Sequence, residues 1–252
     1  MNAIRDSCLD RTKVINCYEM FVHMDDLAES LMPTSRLSQN VISAGIGFIN
    51  SHVDIHPDKI IMTTTITSRI FYGDFSHKQI HKAFTQHGEF KLTLKKFVMF
   101  TLFQELAPND PHDKAGHYYT ICINLAKQRF DVLDSVRSRD DESLRSHAEF
   151  FMNNLKETWA RHYSGSKVQI KDFPIEYVKS KKQGNTYDCG LYTLEYLAKW
   201  EGRKAPTLNK EIVAELRNIY LWNWVTTVDF NKREGALAWL ESDVKAAIKR
   251  YK

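Results

Sequence analysis

Residues 183–192 read Gln-Gly-Asn-Thr-Tyr-Asp-Cys-Gly-Leu-Tyr, a polar loop that runs directly into an apolar helical pattern. The pattern continues through Leu194 and Leu197 at helical spacing. Cys189 therefore stands at the predicted start of a helix, where unpaired backbone N–H groups and the positive end of the helix dipole favour a thiolate. Gly190, which follows it, leaves room for a substrate to approach the backbone. A buried structural cysteine at a helix start is common, so Cys189 alone does not indicate a catalytic site.

Two upstream segments supply the other groups that an activated cysteine needs. Residues 117–125 are β-branched and aromatic with near alternation, which predicts a strand, and residues 128–134 predict its partner after a short turn. A tight hairpin that pairs position 117 with position 134 places His117 beside Asp134, with Cβ atoms about 4.5–5.5 Å apart. A carboxylate that holds an imidazole makes the base required to activate a cysteine. Gln183, six positions before the cysteine, could direct a side-chain amide at a developing oxyanion.

Asp131 competes with Asp134 for the role of the group that orients the histidine, since both lie on the second predicted strand. Only Asp134 pairs with His117 across a tight turn. We therefore expect Asp134 to be the orienting carboxylate and Asp131 to matter little for chemistry.

The order and spacing of these residues resemble the ubiquitin-like-protein-specific cysteine proteases, a family that includes the SUMO proteases and, more distantly, adenovirus protease. Similarity covers roughly residues 30–200. The matching segments are Phe97–Gln104, His117–Ser135 and Gln183–Tyr192, with a weaker match at Leu37–Ile42. The resemblance implies an α+β, papain-like fold with a central mixed β-sheet flanked by helices. It also implies cleavage after the C-terminal glycine pair of a ubiquitin-like modifier, SUMO in the first place.

In the roles that the resemblance implies, His117 is the general base and then the general acid, and Asp134 orients it. Gln183 is the oxyanion donor, and Cys189 is the nucleophile that forms a thioester. The implied partners are a ubiquitin-like modifier and its conjugates, and no cofactor or metal is expected. The implied compartment is the nucleus rather than the cytoplasm, and the expected state is a monomer.

The sequence departs from the family where the substrate is expected to bind. The catalytic histidine is usually followed by tryptophan, but here it is followed by Tyr118. A Trp-Leu-Asn-Asp motif is usual before an apolar helix, but here the residues from Arg36 to Gln39 read Arg-Leu-Ser-Gln. The resemblance implies that Arg36, Gln39 and Tyr118 contact substrate, together with Asp188 and Gly190 beside the cysteine. An arginine replaces a tryptophan wall only in part, by laying its planar guanidinium over the peptide.

Two other interpretations of the chain stay open. It is either a weak or inactive module that binds ubiquitin-like modifiers, or a protease for another modifier, such as the neddylation modifier. His77 and His81 lie four apart on one predicted helical face, but no acid or cysteine completes a metal site, which favours surface histidines. Lys179, Lys181 and Lys182 precede the catalytic loop as either a solvated stretch or a basic rim for an acidic partner.

Composition agrees with an intracellular enzyme. The net charge of +4, from 35 basic and 31 acidic residues, does not argue for a nucleic-acid partner. The four cysteines show no CxxC or other metal spacing, and a catalytic thiol suits a reducing compartment. The first residues have no apolar signal core, and the longest apolar run, Phe97–Phe103, is too short to span a membrane.

The 252 residues predict a single domain, 1–252, with a core at about 30–200 and a helical C-terminal cover at 206–252. Strands are predicted at 14–22, 60–71, 95–104, 167–170 and 175–178 in addition to the hairpin described above. Helices are predicted at 24–31, at 37–49 with Ser38 as N-cap, from a capping box at 76–79, and at 140–163, 212–220 and 237–248. Trp222 and Trp224 are predicted to be packing anchors.

Overall fold

The computed structural model describes residues 12–17, 20–32, 34–52, 57–85, 91–106 and 116–233. The chain divides into two compact units. The first comprises residues 1–51, 184–194 and 208–252, and the second comprises residues 52–183 and 195–207. The single domain and its C-terminal cover therefore remain a prediction. The predicted helix at 237–248 and most of the loop before His117, residues 107–115, lie outside the described residues.

The described strands are β1 (Lys13–Cys17), β2 (Met20–His23), β3 (Lys59–Ile61), β4 (Phe97–Glu105), β5 (Gly116–Asn124), β6 (Arg129–Leu133) and β7 (Ile175–Tyr177). The described α-helices are α1 (Met24–Leu31), α2 (Gln39–Ser51), α3 (Thr64–Phe71), α4 (Lys78–Thr85), α5 (Glu142–His162), α6 (Cys189–Lys199) and α7 (Lys210–Thr226). A short 3-10 helix covers Lys91–Leu94. Within the described part of the chain, no helix combines the length and hydropathy that crossing a bilayer requires.

In the first unit, β1 and β2 form an antiparallel pair, so the predicted strand at 14–22 is two strands. Helix α1 follows at the predicted position. Helix α2 also begins as predicted, because the Ser38 hydroxyl accepts a hydrogen bond from the Val41 backbone N–H at 3.3 Å. In α7, Trp224 is buried, as predicted for an anchor, but Trp222 is 57% exposed, so that part of the prediction was wrong.

The second unit contains a mixed five-stranded sheet in the order β3-β4-β5-β6-β7. The outer pairs, β3–β4 and β6–β7, are parallel, and the inner pairs are antiparallel. The apolar stripe predicted on α5 is buried in the same hydrophobic core as the central strands. Its members are Leu144, Ala148, Phe151, Met152, Leu155 and Trp159. The sheet and its helices confirm the predicted α+β class.

The hairpin of β5 and β6 forms in a register that differs from the predicted one by two residues. Thr120 pairs with Leu133, so position 117 would pair with position 136 rather than 134. Gln128 closes the turn with a φ of 51°, in the left-handed region. A shift of two residues leaves every side chain on its predicted face, whereas a shift of one would reverse them all.

Two predicted strands in this unit were wrong, and one predicted helix begins with different side-chain contacts. Residues 60–71 were expected to be extended, but only Lys59–Ile61 is a strand, and α3 follows it. The Thr63 side chain accepts a hydrogen bond from the Ile66 backbone N–H and caps that helix. The helix predicted from residues 76–79 forms as α4, but Gln79 Oε1 accepts from Arg69 Nε, and His77 Nδ1 accepts from the Gln79 backbone N–H at 3.1 Å. Residues 167–170 form no strand.

Candidate active site

His117 and Asp134 meet at the end of the β5–β6 hairpin. His117 is the second residue of β5, and Asp134 directly follows the last residue of β6. His117 Nε2 lies 3.0 Å from Asp134 Oδ1, and the two side chains are only 6% and 2% exposed. Asp134 Oδ1 also accepts the backbone N–H groups of Val136 and Arg137, each at 2.7 Å. The predicted contact is therefore present, although the predicted register is not.

The charge state of Asp134 determines the tautomer of His117. Burial raises the pKa of the Asp134 carboxyl, but the hydrogen bond and charge of His117, together with Arg137, lower it to about 2. An ionised carboxylate can only accept hydrogen bonds, so Nε2 of His117 carries the hydrogen. In the neutral ring, Nδ1 then has the lone pair and is the atom able to take a proton.

Gln183 is brought beside Ser135, the residue after Asp134, by the chain that continues from the parallel pair of β6 and β7. Beyond that pair, Val178 N–H donates to the Val132 carbonyl at 2.9 Å, and Gln183 N–H donates to the Ser135 carbonyl at 2.8 Å. The Ser135 hydroxyl donates to Gln183 Oε1 at 2.5 Å. This bond orients the Gln183 amide with its oxygen toward Ser135, and the amide nitrogen is the donor end. Sequence reasoning did not identify Ser135 as the residue that orients it.

Asp131 has a different environment from Asp134. Its Oδ2 accepts from Asn124 Nδ2 at 2.7 Å, and its Oδ1 lies 2.6 Å from Arg129 Nε. Burial raises the pKa of the Asp131 carboxyl, although Asn124 and Arg129 act in the opposite direction. Because Asp131 is engaged by these two side chains within the sheet, the geometry favours Asp134 as the orienting carboxylate.

Cys189 belongs to the first unit and is the first residue of α6, as predicted. The side chain is buried. The Asp188 carbonyl accepts the backbone N–H groups of Leu191 at 2.9 Å and Tyr192 at 3.2 Å, which fixes the start of the helix at the cysteine. The pairing of Cys189 with His117, a residue of the second unit, stays a prediction.

The loop before Cys189 is held by its own polar side chains. Asn185 Oδ1 accepts from the backbone N–H groups of Tyr187 at 3.1 Å and Asp188 at 3.0 Å. Asp188 Oδ2 accepts from Asn185 Nδ2 at 2.6 Å, and Asp188 Oδ1 accepts from Arg217 of α7 at 2.8 Å. Both oxygens of the Asp188 carboxylate, which was expected to contact substrate, therefore accept hydrogen bonds from within the protein. Asparagine is a known turn former, so Asn185 could have been found from sequence, whereas Arg217 had no signal there.

Gly190 has a packing reason to lack a side chain. A Cβ at this position would lie 2.9 Å from Ile42 Cδ1 and 3.2 Å from Leu37 Cβ. The close neighbour is therefore the start of α2, whereas the sequence suggested substrate access as the reason for glycine. The predicted contact between Gly190 and substrate stays a prediction.

The remaining residues predicted to bind substrate make contacts within their own units. Arg36 Nε donates to the Thr186 carbonyl at 3.1 Å, on the loop before the cysteine. Gln39 is the exposed first residue of α2. Tyr118 is buried, and its ring centroid lies 4.8 Å from that of Phe103, a residue that is 44% exposed. Their roles toward substrate stay predictions.

Lys182 differs from its two neighbouring lysines. Its Nζ donates to the Arg137 carbonyl and lies 3.4 Å from the Asp134 carbonyl. Burial lowers the pKa of the Lys182 ammonium, whereas the nearby Asp134 raises it. All three lysines are exposed, but Lys182 also helps to hold the loop after β6.

Comparison with known proteins found similarity in sequence to one protease family and similarity in fold to solved SUMO proteases. Residues 111–220 match the sequence model of the Ulp1 protease family, C-terminal catalytic domain. The ubiquitin-like-specific protease ESD4 of Arabidopsis thaliana is 20% identical over 175 residues, which cover 68% of this chain and 34% of that protein. The chain thus spans about a third of the length of this curated relative.

Solved SUMO proteases share the fold. The SUMO protease Ulp1 with its catalytic cysteine oxidised to a sulfenic acid has a TM-score of 0.66 at 13% identity, over 90% of this chain and 94% of that one. The Ulp1 protease domain in complex with Smt3, the yeast ortholog of SUMO, has a TM-score of 0.62 at 15% identity, over 89% and 93%. The catalytic domain of the Ulp1-like SUMO protease of Chaetomium thermophilum has a TM-score of 0.61 at 14% identity, over 87% of each chain.

These structures have the α+β, papain-like architecture that the sequence predicted. The family match spans the segments that contain His117, Asp134, Gln183 and Cys189. Residues 111–220 are therefore similar to the catalytic domain of the Ulp1 protease family, and the chain has the fold of the solved SUMO proteases.

Proposed function

We propose that this chain is a cysteine peptidase and isopeptidase that cleaves after the C-terminal glycine pair of a ubiquitin-like modifier, SUMO in the first place. The observation that carries the proposal is the buried His117–Asp134 pair, 3.0 Å apart, with an ionised carboxylate that fixes the imidazole tautomer. Cysteine nucleophiles require a base of this kind. The substrate class rests on the relatives, since ESD4 is a ubiquitin-like-specific protease and a solved neighbour holds Smt3.

In the proposed first step, His117 Nδ1 takes the proton of the Cys189 thiol, and the thiolate sulfur attacks the carbonyl carbon of the last glycine. The Gln183 amide donates a hydrogen bond to the resulting oxyanion. The C–N bond then breaks as the imidazolium gives its proton to the leaving amine. The products are a free amine on the target and a thioester between Cys189 and the modifier.

In the proposed second step, His117 Nδ1 takes a proton from water, and the hydroxide oxygen attacks the thioester carbonyl. The C–S bond breaks, the proton on His117 returns to the sulfur, and the modifier leaves with a free C-terminal carboxyl group, which gives its proton to solvent. Throughout both steps Asp134 stays ionised and stabilises the imidazolium that forms beside it.

A second candidate function is a module that binds ubiquitin-like modifiers with little turnover. The observation that favours it is the pair of substituted tryptophan positions, where Tyr118 is covered by Phe103 and Arg36 is engaged by Thr186. Without a well-formed channel, the scissile carbonyl of a bound modifier would rarely lie in the geometry that Cys189 needs for attack.

The test uses modifiers that end in a glycine vinyl sulfone, namely SUMO, the neddylation modifier and ubiquitin. We expect SUMO to form a covalent adduct that mass spectrometry maps to Cys189, and Cys189→Ala and His117→Ala to abolish it. Cys17→Ala is the matched control, because burial raises the pKa of that thiol to about 11 and keeps it unreactive. Binding of SUMO without an adduct would support the binding module. An adduct with ubiquitin or the neddylation modifier, but not with SUMO, would identify that modifier as the substrate instead.

A further inference from the structure

Arg137 is a buried cation beside the His117–Asp134 pair that the proposed mechanism does not use. Its side chain is 8% exposed. Its Nε donates to Asp134 Oδ2 at 2.9 Å, and its backbone N–H donates to Oδ1 at 2.7 Å. One residue therefore holds both oxygens of the carboxylate that orients the histidine.

Arg137 is itself held by several elements of the second unit. Its Nη1 donates to Gln104 Oε1 at 2.5 Å, and Gln104 Nε2 donates to the hydroxyl of Ser143, in the first turn of α5, at 2.8 Å. The Arg137 carbonyl accepts from Lys182 Nζ, and the guanidinium carbon lies 5.3 Å from the centre of the Tyr119 ring. Because these contacts fix the Arg137 side chain, it can in turn fix the position of the Asp134 carboxylate.

The position of Gln104 ties this network to the histidine. Gln104 pairs with His117 across the β4–β5 ladder, so their side chains lie on the same face of the sheet. Gln104 contacts Arg137, Arg137 contacts Asp134, and Asp134 contacts His117. The four side chains form a continuous series of contacts whose two ends, Gln104 and His117, lie on neighbouring strands.

The physical effect of the guanidinium is twofold. Contacts to Oδ1 alone would leave the carboxylate able to pivot about that oxygen, and the bond to Oδ2 removes this freedom. A carboxylate buried beside a neutral imidazole is also an uncompensated charge, which is costly unless a cation pairs with it. Arg137 supplies that cation from the side of Asp134 that His117 does not occupy.

We propose that Arg137 is a positioning residue of the reaction, which acts through Asp134 to fix the direction and tautomer of His117. This inference rests on the proposed function, because it assigns a task within the same site. Arg137 lies three positions after Asp134, in a turn that the hydrophobic pattern does not mark, so nothing in the periodicity of the sequence indicated it.

The chain offers a matched control in the Arg129–Asp131 pair. Arg129 Nε lies 2.6 Å from Asp131 Oδ1, and Asp131 is fully buried in the same sheet. Removing Arg129 therefore also deprives a buried aspartate of its arginine, but at a carboxylate that has no task in the mechanism. Arg129→Met measures the structural cost of such a loss, and Arg137→Met measures that cost together with any effect on catalysis.

The experiment measures kcat, KM and thermal stability with a SUMO C-terminal fluorogenic substrate. The variants are Arg137→Met, Arg137→Lys, Arg129→Met, Asp134→Asn and the double variant Asp134→Asn with Arg137→Met. We expect Arg137→Met to lower kcat about tenfold to a hundredfold with KM changed less than about twofold, as for the loss of hydrogen bonds to a charged group. Arg137→Lys should recover part of the loss, and Arg129→Met should lower the Tm with kcat within about twofold of wild type.

The double variant tests whether Arg137 acts through Asp134. In the Asp134→Asn background, Arg137→Met should lower kcat by less than about twofold further, because the group it positions is already lost. If the two losses multiply, or if Arg137→Met keeps the wild-type kcat, the inference is wrong. Gln104→Leu is the second variant in case Arg137→Met does not fold, and its smaller loss should likewise vanish in the Asp134→Asn background.

A spectroscopic readout separates this inference from the proposed function. The Nε2 proton of His117, hydrogen-bonded to a buried carboxylate, should give a protected resonance in the wild-type protein and in Arg129→Met, and an exchange-broadened one in Arg137→Met. A protein without turnover would overturn the proposed function, whereas an unchanged resonance in Arg137→Met would overturn the positioning role.

Discussion

Asp131 and Asp134 lie three positions apart on one hairpin, and the structure drives their ionisation in opposite directions. At Asp131 burial dominates and raises the pKa of the carboxyl. At Asp134 burial is outweighed by His117, Arg137 and two backbone N–H groups, which together lower the pKa of the carboxyl to about 2. The difference follows from the number of donors, since a carboxylate that accepts several hydrogen bonds is stabilised in its charged form.

This contrast gives a paired prediction. Asp134→Asn should lower kcat at least about a hundredfold, because the amide can donate a hydrogen bond and favours the wrong imidazole tautomer. Asp131→Asn should keep kcat within about twofold and lower the free energy of unfolding by about 1–3 kcal/mol, since Arg129 loses its charged partner. Steady-state kinetics and urea unfolding of the two variants check both statements. The opposite pattern would make Asp131 the orienting residue.

His147, which feels the charge of Arg137, makes the free energy of unfolding depend on pH. Its Nδ1 lies 2.7 Å from the Tyr119 hydroxyl, and burial together with the charge of Arg137 lowers the pKa of His147 from 6.5 to about 4. The folded state then binds fewer protons than the unfolded state between those values, so the free energy of unfolding decreases as pH falls from about 6.5 to 4.

His147→Asn keeps an acceptor for the Tyr119 hydroxyl and removes this titration. We expect the wild-type protein to lose stability more steeply than the variant between pH 6.5 and 4, as measured by urea unfolding. Burial also lowers the pKa of His162, and that contribution is common to both proteins and cancels in the comparison. Parallel curves would show that His147 titrates with its ordinary pKa.

At the level of elements, the start of α6 depends on close packing against the start of α2. Gly190→Ala would place a methyl group 2.9 Å from Ile42 Cδ1 and 3.2 Å from Leu37 Cβ. We expect this overpacking to lower the free energy of unfolding by about 1–2 kcal/mol, despite the better helix propensity of alanine. Adding Ile42→Val removes the Cδ1 atom in the way and should restore part of the loss. Full stability in Gly190→Ala alone would contradict this packing.

Elements with a clear hydrophobic period were predictable from the sequence, and local side-chain bonds account for those that were not. The stripe on α5 predicted both the helix and its buried face. Residues 64–71 are β-branched and suggested a strand, but the Thr63 cap and the burial of Ile66 and Ile70 stabilise α3 instead. Propensity is a weak signal where a cap and tertiary packing favour another structure.

The site was predictable at the residues that react and less so at the residues that hold them. The contact of His117 with Asp134 survived a register error, because the error was an even number of residues and left both side chains on the same face. Arg137 and Arg217 were missed for different reasons. Arg137 lies only three positions after Asp134 but in a loop without hydrophobic periodicity, whereas Arg217 reaches Asp188 through a tertiary contact that spacing does not encode.

For the whole molecule, the proposed reaction draws on residues of both units. The histidine, its carboxylate and the oxyanion donor belong to the second unit, and the cysteine with its supporting loop belongs to the first. Gln183 and Gly184 are consecutive residues assigned to different units, so the short loop that carries the oxyanion donor also leads to the nucleophile. The family match over residues 111–220 includes residues of both units.

The last prediction concerns the channel for the glycine pair, to which the resemblance assigns residues of both units. The resemblance implies a tryptophan at the position of Arg36 and another at the position of Tyr118. A tryptophan wall excludes side chains by filling the space that a Cβ needs, and an arginine does so less completely. We predict weaker binding of a Gly-Gly terminus than in a relative with both tryptophans, and milder discrimination against alanine at the penultimate position.

Arg36→Trp combined with Tyr118→Trp should raise kcat/KM, with each restored aromatic contact contributing about 1 kcal/mol, or about fivefold. The larger ring at position 118 has to displace Phe103, whose exposed side chain can rotate away. The measurement is kcat/KM for Gly-Gly and Ala-Gly substrates in both backgrounds, with each single variant included to separate the two walls. If the double variant leaves both activity and discrimination unchanged, Arg36 does not line the channel, and the alignment of residues 36–39 with the tryptophan motif is wrong.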